Sequence, residues 1–380
     1  MQKLLVFILL AAVLMFPVSA IEPLSGNEIT IDAPYAILIE RETGEVIYEK
    51  DSCQRRSPAS VTKVMTLLII MDEIANGNLK LDDMVSVSSR AASMGGSQIW
   101  LEEGETMSVH EMLKCITVVS ANDCCVAMAE HIAGTEEAFA ARMNERAAQL
   151  GCENTHFTCC SGLLESDEHY SCARDLALIS RELMSYELIR NYTTIWTDSV
   201  RGGEFALSNT NKLVRYYEGA TGLKTGFTNK AMFCLSACAE RGGVEYIAVV
   251  LGAQTSAQRF ESAKTLLNYA FSNYALFSPA DNVVIPPVRV ELGKVTGIQP
   301  VAASGKILVK KSLLNTLECR VDMCQTVKAP ISCGQLLGTI EVVSDGEIIE
   351  KLDLVSSEAV EKQSVFEIFI GLLTCLVGGK

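Results

Sequence analysis

The stretch Gly222–Ala253, GLKTGFTNKAMFCLSACAERGGVEYIAVVLGA, decides the architecture. Gly222 to Thr228, Ala231 to Ala239 and Val244 to Ala253 are short β-type runs, the last two joined across Arg241-Gly242-Gly243. Working outward toward the N-terminus, Tyr35 to Glu40 and Glu45 to Lys50 form a predicted hairpin around Glu42-Thr43-Gly44. Between these strand regions the pattern is helical. Pro58 precedes a helix-like stretch from Ser60 to about Ala75, and Ser108 with Glu111 makes a capping box. Val109, Met112, Leu113 and Ile116 follow at helical spacing, and further helices fit 123–133, 136–150 (closed by Gly151) and 172–185. Beyond the strands, a helix over about 256–271 takes Ser256 as its cap and buries Ala263, Leu266, Leu267 and Ala270. Strands at both ends with helices between predict an antiparallel sheet completed by its first and last segments, an α+β layer.

From about Pro286 alternation takes over, as in Val288-Arg289-Val290-Glu291-Leu292 and Gly338 to Val343, with Asp345-Gly346 as a hairpin signal. This predicts a small all-β domain over 286–355. Val365 to Lys380 is apolar except for Glu367, Gly371, Thr374 and Gly378, which share one helical face. That predicts an amphipathic helix within 360–380 that touches the membrane surface, against the alternative of a buried tail. The stretch is short for a span, and the basic residues usual in an interfacial helix are missing. At the other end, Lys3, the apolar run Leu4 to Phe16 and Pro17-Val18-Ser19-Ala20 describe a signal peptide over 1–20, cleaved after Ala20. A retained N-terminal anchor is the alternative. The main domain is then 21–283, and the protein is expected outside the cytoplasm, at the outer face of the membrane or in the cell wall.

With 49% hydrophobic and 21% charged residues, the chain has an ordinary globular composition. A net charge of -14 argues against a nucleic-acid partner, which would need a basic face. The fourteen cysteines look like small core residues rather than a disulfide framework. Cys124-Cys125 and Cys159-Cys160 are adjacent pairs, and Cys115, Cys234 and Cys238 sit in apolar segments, so mostly free thiols are expected. No Cys-x2-Cys pair appears, and His110-Glu111 is followed by Lys114 where a zinc protease needs a second histidine. No metal and no cofactor is expected.

Three short motifs carry chemistry. In Ser60-Val61-Thr62-Lys63 a serine and a lysine three apart share a helix face, giving a weak nucleophile a neighbouring base. At the first helical turn the serine also sits where the helix dipole favours developing negative charge. Ser120-Ala121-Asn122, in a break between helices, offers a second hydroxyl to relay a proton and an amide to hold substrate and orient the lysine. Helix capping by Ser120 or Asn122 is the plain alternative. Lys224-Thr225-Gly226 on a strand supplies a fixed positive charge, a hydroxyl for an anionic group, and a glycine that lets a substrate backbone come close. Each motif is weak alone. Together, and in this order, they are the triple of penicillin-binding proteins and class A β-lactamases.

Pro58 to Lys63, Gly96-Ser97-Gln98-Ile99, Ser120 to Asp123, Asn154 to Phe157, His169-Tyr170-Ser171, Ala173-Arg174-Asp175 and Gly222 to Thr228 resemble the D-alanyl-D-alanine carboxypeptidase family over nearly the whole chain. The resemblance implies a serine β-lactamase/DD-peptidase-like fold and a two-step acyl transfer on peptidoglycan stem peptides, inhibited by β-lactams. It implies Lys63, neutral in the free enzyme, as base; Ser60 as nucleophile; and the backbone N–H groups of Ser60 and Phe227 as the oxyanion hole. The substrate carboxylate is then expected at Thr225, Lys224 and Arg259, with a solvated helix arginine as the alternative for Arg259. Cys159-Cys160 before Ser161-Gly162-Leu163 departs from the family's usual Asn-Pro.

A β-lactamase would share the triple but class A enzymes add a glutamate that activates water, for which Glu187 with Asn191 is the nearest candidate. A non-catalytic cell-wall scaffold would need none of these residues.

Overall fold

The computed structural model describes residues 29–164 and 166–377. They divide into two compact units: 29–276 with Leu308–Ser312, and 277–307 with 313–377. The segment expected to be a signal peptide lies outside the described residues.

The first unit opens with the predicted hairpin, β1 (Tyr35–Glu40) and β2 (Val46–Lys50). Its turn is tied by the buried Glu40 carboxylate, which accepts the backbone N–H groups of Glu42 at 2.9 Å and Thr43 at 2.6 Å. A 3-10 turn, Ala59–Thr62, leads into α1 (Lys63–Ala75), whose residues Lys63 to Met71 are all buried. A helix apolar on every side belongs inside the core, and α1 occupies that place. Around it lie α2 (Val109–Val118), α3 (Asn122–Ala133), α4 (Glu136–Gln149) and α5 (Ala173–Leu183). Ser108 caps α2, accepting the Glu111 N–H at 3.2 Å, but the Glu111 carboxylate returns to the Ser108 hydroxyl, so only half of the predicted box forms.

The strands quoted at the outset become β3 (Ala220–Thr228), β4 (Met232–Arg241) and β5 (Val244–Ala253). The sheet order is β2-β1-β5-β4-β3, antiparallel throughout. The first hairpin thus completes the sheet against the last strand, with Tyr35 opposite Leu251. Alternate residues of β1 serve two cores: Ile37 and Ile39 join the α1 side, while Ala36 and Leu38 join the side covered by α6 (Ser256–Asn273). The cap of α6 corrects the sequence reading. Thr255, in extended conformation, is the cap and forms a full box with Gln258, whereas Ser256 is already helical. Sequence alone does not choose between two adjacent hydroxyls; the backbone angle at Thr255 does.

In the second unit β6 (Val288–Glu291), β7 (Leu317–Met323), β8 (Leu336–Ser344) and β9 (Glu347–Ser356) are the main strands. Asp345 and Gly346, at φ +50° and +86°, turn β8 into β9, the left-handed pair that a tight hairpin turn requires. Ile340, Val342, Leu352 and Leu354 form one buried cluster, and Val288, Val290, Ile298 and Leu337 belong to a second. The chain continues into α7 (Val365–Val377), where Val365, Phe366, Phe369, Ile370 and Leu373 are exposed. Among the described residues no helix is long and apolar enough to cross a membrane.

Candidate active site

The turn that carries Ser60 is built on two tight backbone positions. Ala59 sits at φ +48°, a region costly for a residue with a Cβ, and swings the chain so that Ser60 opens the turn before α1. The loop over 158–163 packs directly on this turn: a Cβ at Gly162 would lie 1.9 Å from the Ala59 carbonyl oxygen. Two hydroxyls tie the turn and the helix after it to the segment from 160 to 169. Thr62 Oγ1 is 2.8 Å from His169 Nε2, and Thr66 Oγ1 donates to the Cys160 carbonyl at 2.5 Å.

Lys63 is wholly buried behind Ser60. Its Nζ lies 3.0 Å from Ser60 Oγ, 2.7 Å from Asn122 Oδ1 and 2.7 Å from the Ser161 carbonyl oxygen. Burial pushes its pKa down, opposed most strongly by the thiols of Cys125 and Cys160 and less by Asp123. Those thiols are themselves held protonated by burial, Cys125 pushed up to about 12 and Cys160 raised well above its ordinary value. Neutral thiols offset little, so the desolvation prevails.

Asn122 is fixed as firmly as the lysine. Its Nδ2 donates to the Gly95 carbonyl at 2.8 Å and its backbone N–H to the Ser97 carbonyl at 2.7 Å. Asp123 completes the clamp by accepting the N–H groups of Ile99 and Leu101 at 3.0 and 3.1 Å. Neither Ser120 nor Asn122 caps α3; Ala121 holds that position without a side-chain bond, so the capping alternative falls. Ser120 stands at φ +65°, and its buried Oγ has no hydrogen-bond partner among the described residues. A strained serine with an unspent hydroxyl is left for a ligand or a relay.

β3 closes the site from the other side. A Cβ at Gly226 would meet the Pro58 carbonyl oxygen at 2.9 Å and the Ser60 and Val61 backbone nitrogens at 3.1 Å. Only glycine lets the strand come this near Ser60. Lys224 is buried and donates from Nζ to the Thr225 carbonyl at 3.0 Å. Thr225 Oγ1 lies 2.7 Å from Thr210 Oγ1. Phe227 exposes its ring, which packs on Phe233 at 4.4 Å between centroids. Arg259 is buried, not solvated: its guanidinium donates to the carbonyls of Gly226 at 3.0 Å and Cys234 at 3.2 Å.

Burial pushes the pKa of Lys224 well below the ordinary lysine value. Arg259, lowered by burial to about 10, keeps its proton at neutral pH and is the lasting positive charge behind the strand. The structure therefore joins Ser60, Lys63 and Asn122 through one amine, and Gly226 and Arg259 through the backbone of β3. Glu187 takes no part: its side chain is exposed and faces Arg190 on its own helix at 3.5 Å.

Sequence reasoning missed Ser161, Thr210 and His169 as site components. Ser161 and Thr210 act through a carbonyl and through a partner distant in sequence, and neither leaves a pattern. His169 was noticed only as part of a resemblance. The Cys159-Cys160 departure leaves the loop in place, because the Cys160 N–H is held by the buried Glu136 carboxylate at 3.2 Å.

Residues 21–255 match the family model of D-alanyl-D-alanine carboxypeptidase, and residues 271–362 that of the penicillin-binding protein 5 C-terminal domain. The chain belongs to the D-alanyl-D-alanine carboxypeptidase family. It is a serine peptidase of that family and a hydrolase. The chain is 41% identical to D-alanyl-D-alanine carboxypeptidase DacF of Bacillus subtilis, over 95% of each chain. It is 31% identical to D-alanyl-D-alanine carboxypeptidase DacA of Escherichia coli, over 88% of this chain and 85% of that one. Penicillin-binding protein 5 of Haemophilus influenzae superposes with a TM-score of 0.79 at 27% identity, covering 88% of this chain and 99% of that one. Penicillin-binding protein D2 of Listeria monocytogenes, in an ampicillin-bound form, matches 64% of this chain and 99% of its own at 29% identity and a TM-score of 0.59.

Proposed function

We propose that this family member removes the terminal D-alanine from peptidoglycan stem peptides through an acyl-enzyme on Ser60. The carrying observation is the environment of Lys63 Nζ. A neutral amine has two N–H bonds and one lone pair; Asn122 Oδ1 and the Ser161 carbonyl, each at 2.7 Å, take the two N–H groups. The lone pair is then left for the Ser60 hydroxyl 3.0 Å away. Burial favours this neutral form.

The Ser60 hydroxyl gives its proton to Lys63 as Oγ bonds the carbonyl between the two D-alanines. The backbone N–H groups of Ser60 and Phe227 receive the developing oxyanion. Proton delivery to the departing amine, through Lys63 and Ser120, frees D-alanine. Water then cleaves the ester by the same proton path in reverse. Thr225, Lys224 and Arg259 attract the terminal carboxylate, and a substrate anion beside Lys224 favours its charged form. A β-lactam acylates the same serine.

The surroundings of the activity belong to the same reading: a 1–20 signal peptide, a 21–283 peptidase domain, a 286–355 β domain and the helix α7 lying on the outer face of the cytoplasmic membrane. The exposed Phe366, Phe369, Ile370 and Leu373 support the last of these. The test is D-alanine release from a stem-peptide mimic by residues 21–363 and by its Ser60→Ala variant. Release by the first and none by the second is expected; release by both would remove Ser60 as nucleophile, and release by neither would remove the activity. Cosedimentation of the chain from residue 21 with anionic vesicles, lost on removing 364–380, checks the membrane contact.

A further inference from the structure

A second cleft, of about 310 Å³, lies beside the nucleophile turn, lined by Arg55 to Ser57, by the segment around Asp167 to Tyr170, and by Lys230. Its size is at the lower end for a small-molecule site. Lys230 is in the turn between β3 and β4, four residues beyond Gly226, and Ser57 is three residues before Ser60. Because Gly226 abuts Pro58, the cleft continues the line of β3 away from the catalytic group.

The cleft is unevenly charged. Lys230 is paired with Asp167, and the neighbouring Glu168 is exposed. His169, pushed down to about 4 by burial, brings no charge at neutral pH. Arg55 and Arg56 have no carboxylate partner among the described residues. Arg55 is steered by Asn154 Oδ1 at 3.1 Å and lies 4.8 Å over the Tyr170 ring; Arg56 lies 4.8 Å over the Tyr35 ring. Aromatic stacking holds both guanidiniums without neutralising them.

We infer that this cleft is a subsite for an acidic side chain on the acyl part of the substrate, two residues before the scissile carbonyl. The inference rests on the carboxypeptidase reading. A substrate with its carboxylate at Thr225 and its reacting carbonyl at Phe227 runs along β3 toward Lys230. At about 3.3 Å per residue, the position two residues back lies ~7 Å further on, opposite Thr228 to Lys230. A carboxylate carried there meets Arg55 and Arg56, planar groups suited to binding it in a two-point fork.

Three peptides with an N-terminal acyl group, then lysine, alanine, D-alanine and D-alanine test this, the lysine standing two residues before the one that carries the scissile carbonyl. They differ only at the lysine ε-nitrogen: succinylated and anionic, acetylated and neutral, or free and cationic. The wild-type enzyme should give kcat/KM for the anionic peptide about tenfold above the neutral one, the effect of one charge-assisted contact. Arg55→Gln with Arg56→Gln should bring that ratio to about one while the neutral peptide reacts as before. Each single variant should fall between, and Arg56→Glu should turn the preference toward the free amine. No discrimination by the wild type, or a ratio that survives the double variant, overturns the subsite. Absence of D-alanine release even from the neutral peptide overturns the carboxypeptidase reading and the subsite with it.

Discussion

The two units handle polar groups in opposite ways. In the second, the buried polar side chains among the described residues are Ser344 and Ser356, and β7 alternates between half-buried and exposed positions along its length. In the first, Lys63, Lys224, Asn122, Asp123, His169 and Arg259 are all buried. Burying such groups costs free energy unless each is bonded, and here most are bonded across long sequence separations. The second unit is therefore organised by area removed from water, the first by area plus a polar network that serves chemistry. Stability and activity should respond to different residues in the two.

The sharpest test of that contrast is Lys63→Met, which fills the same space without a base. Loss of about 10³- to 10⁴-fold in kcat/KM for D-alanine release is expected, with the fold retained by circular dichroism. In the wild type, kcat/KM should rise as pH rises through the depressed Lys63 pKa, since only the neutral amine accepts the serine proton. A variant that stays active would show that the buried network is structural, as in the second unit.

Gly226→Ala comes next. Its Cβ would press on Pro58 and on the backbone N–H of Ser60, so β3 must retreat from the nucleophile. Displacing one oxyanion donor costs about 10²- to 10³-fold in kcat, measured as the β-lactam acylation rate.

His169 connects the two quantities. Its folded pKa of about 4 lies below the ordinary histidine value of 6.5, so the unfolded chain takes up its proton first as pH falls. The stability it supports is present above pH 6.5 and is lost between 6.5 and about 4. The loss amounts to about 3 kcal/mol. Urea titrations at pH 7 and pH 4 should show a smaller acid loss by about that amount in His169→Gln. Equal losses in both proteins would place the acid sensitivity elsewhere.

Ile340→Val in the second unit should give the smallest effect: about 1 kcal/mol of stability, with D-alanine release per folded molecule unchanged. A change in kcat would break the separation of roles.

The elements were legible because their signals are local. The short β-type runs of 222–253 and the spacing of Val109, Met112, Leu113 and Ile116 need nothing beyond a few neighbours. The catalytic triple was legible because Ser60 and Lys63 share one turn, and because Asn122 and Gly226 sit in short motifs. The cap at Thr255 was missed, as were Thr210 and the Ser161 carbonyl. Each depends on a backbone angle or on a partner far along the chain.

By itself, then, the sequence laid out the main strands and helices and the antiparallel closure of the sheet, and it singled out Ser60, Lys63, Asn122 and Gly226 as candidates. Periodicity and motif chemistry survive without coordinates. Only the tertiary structure decided that Lys63 has three close oxygen neighbours, that Lys224 is disfavoured as a cation, and that Arg259 is buried against the β3 backbone. These are properties of desolvation and of distance between residues up to ninety-eight positions apart. Neither quantity exists until the chain has folded.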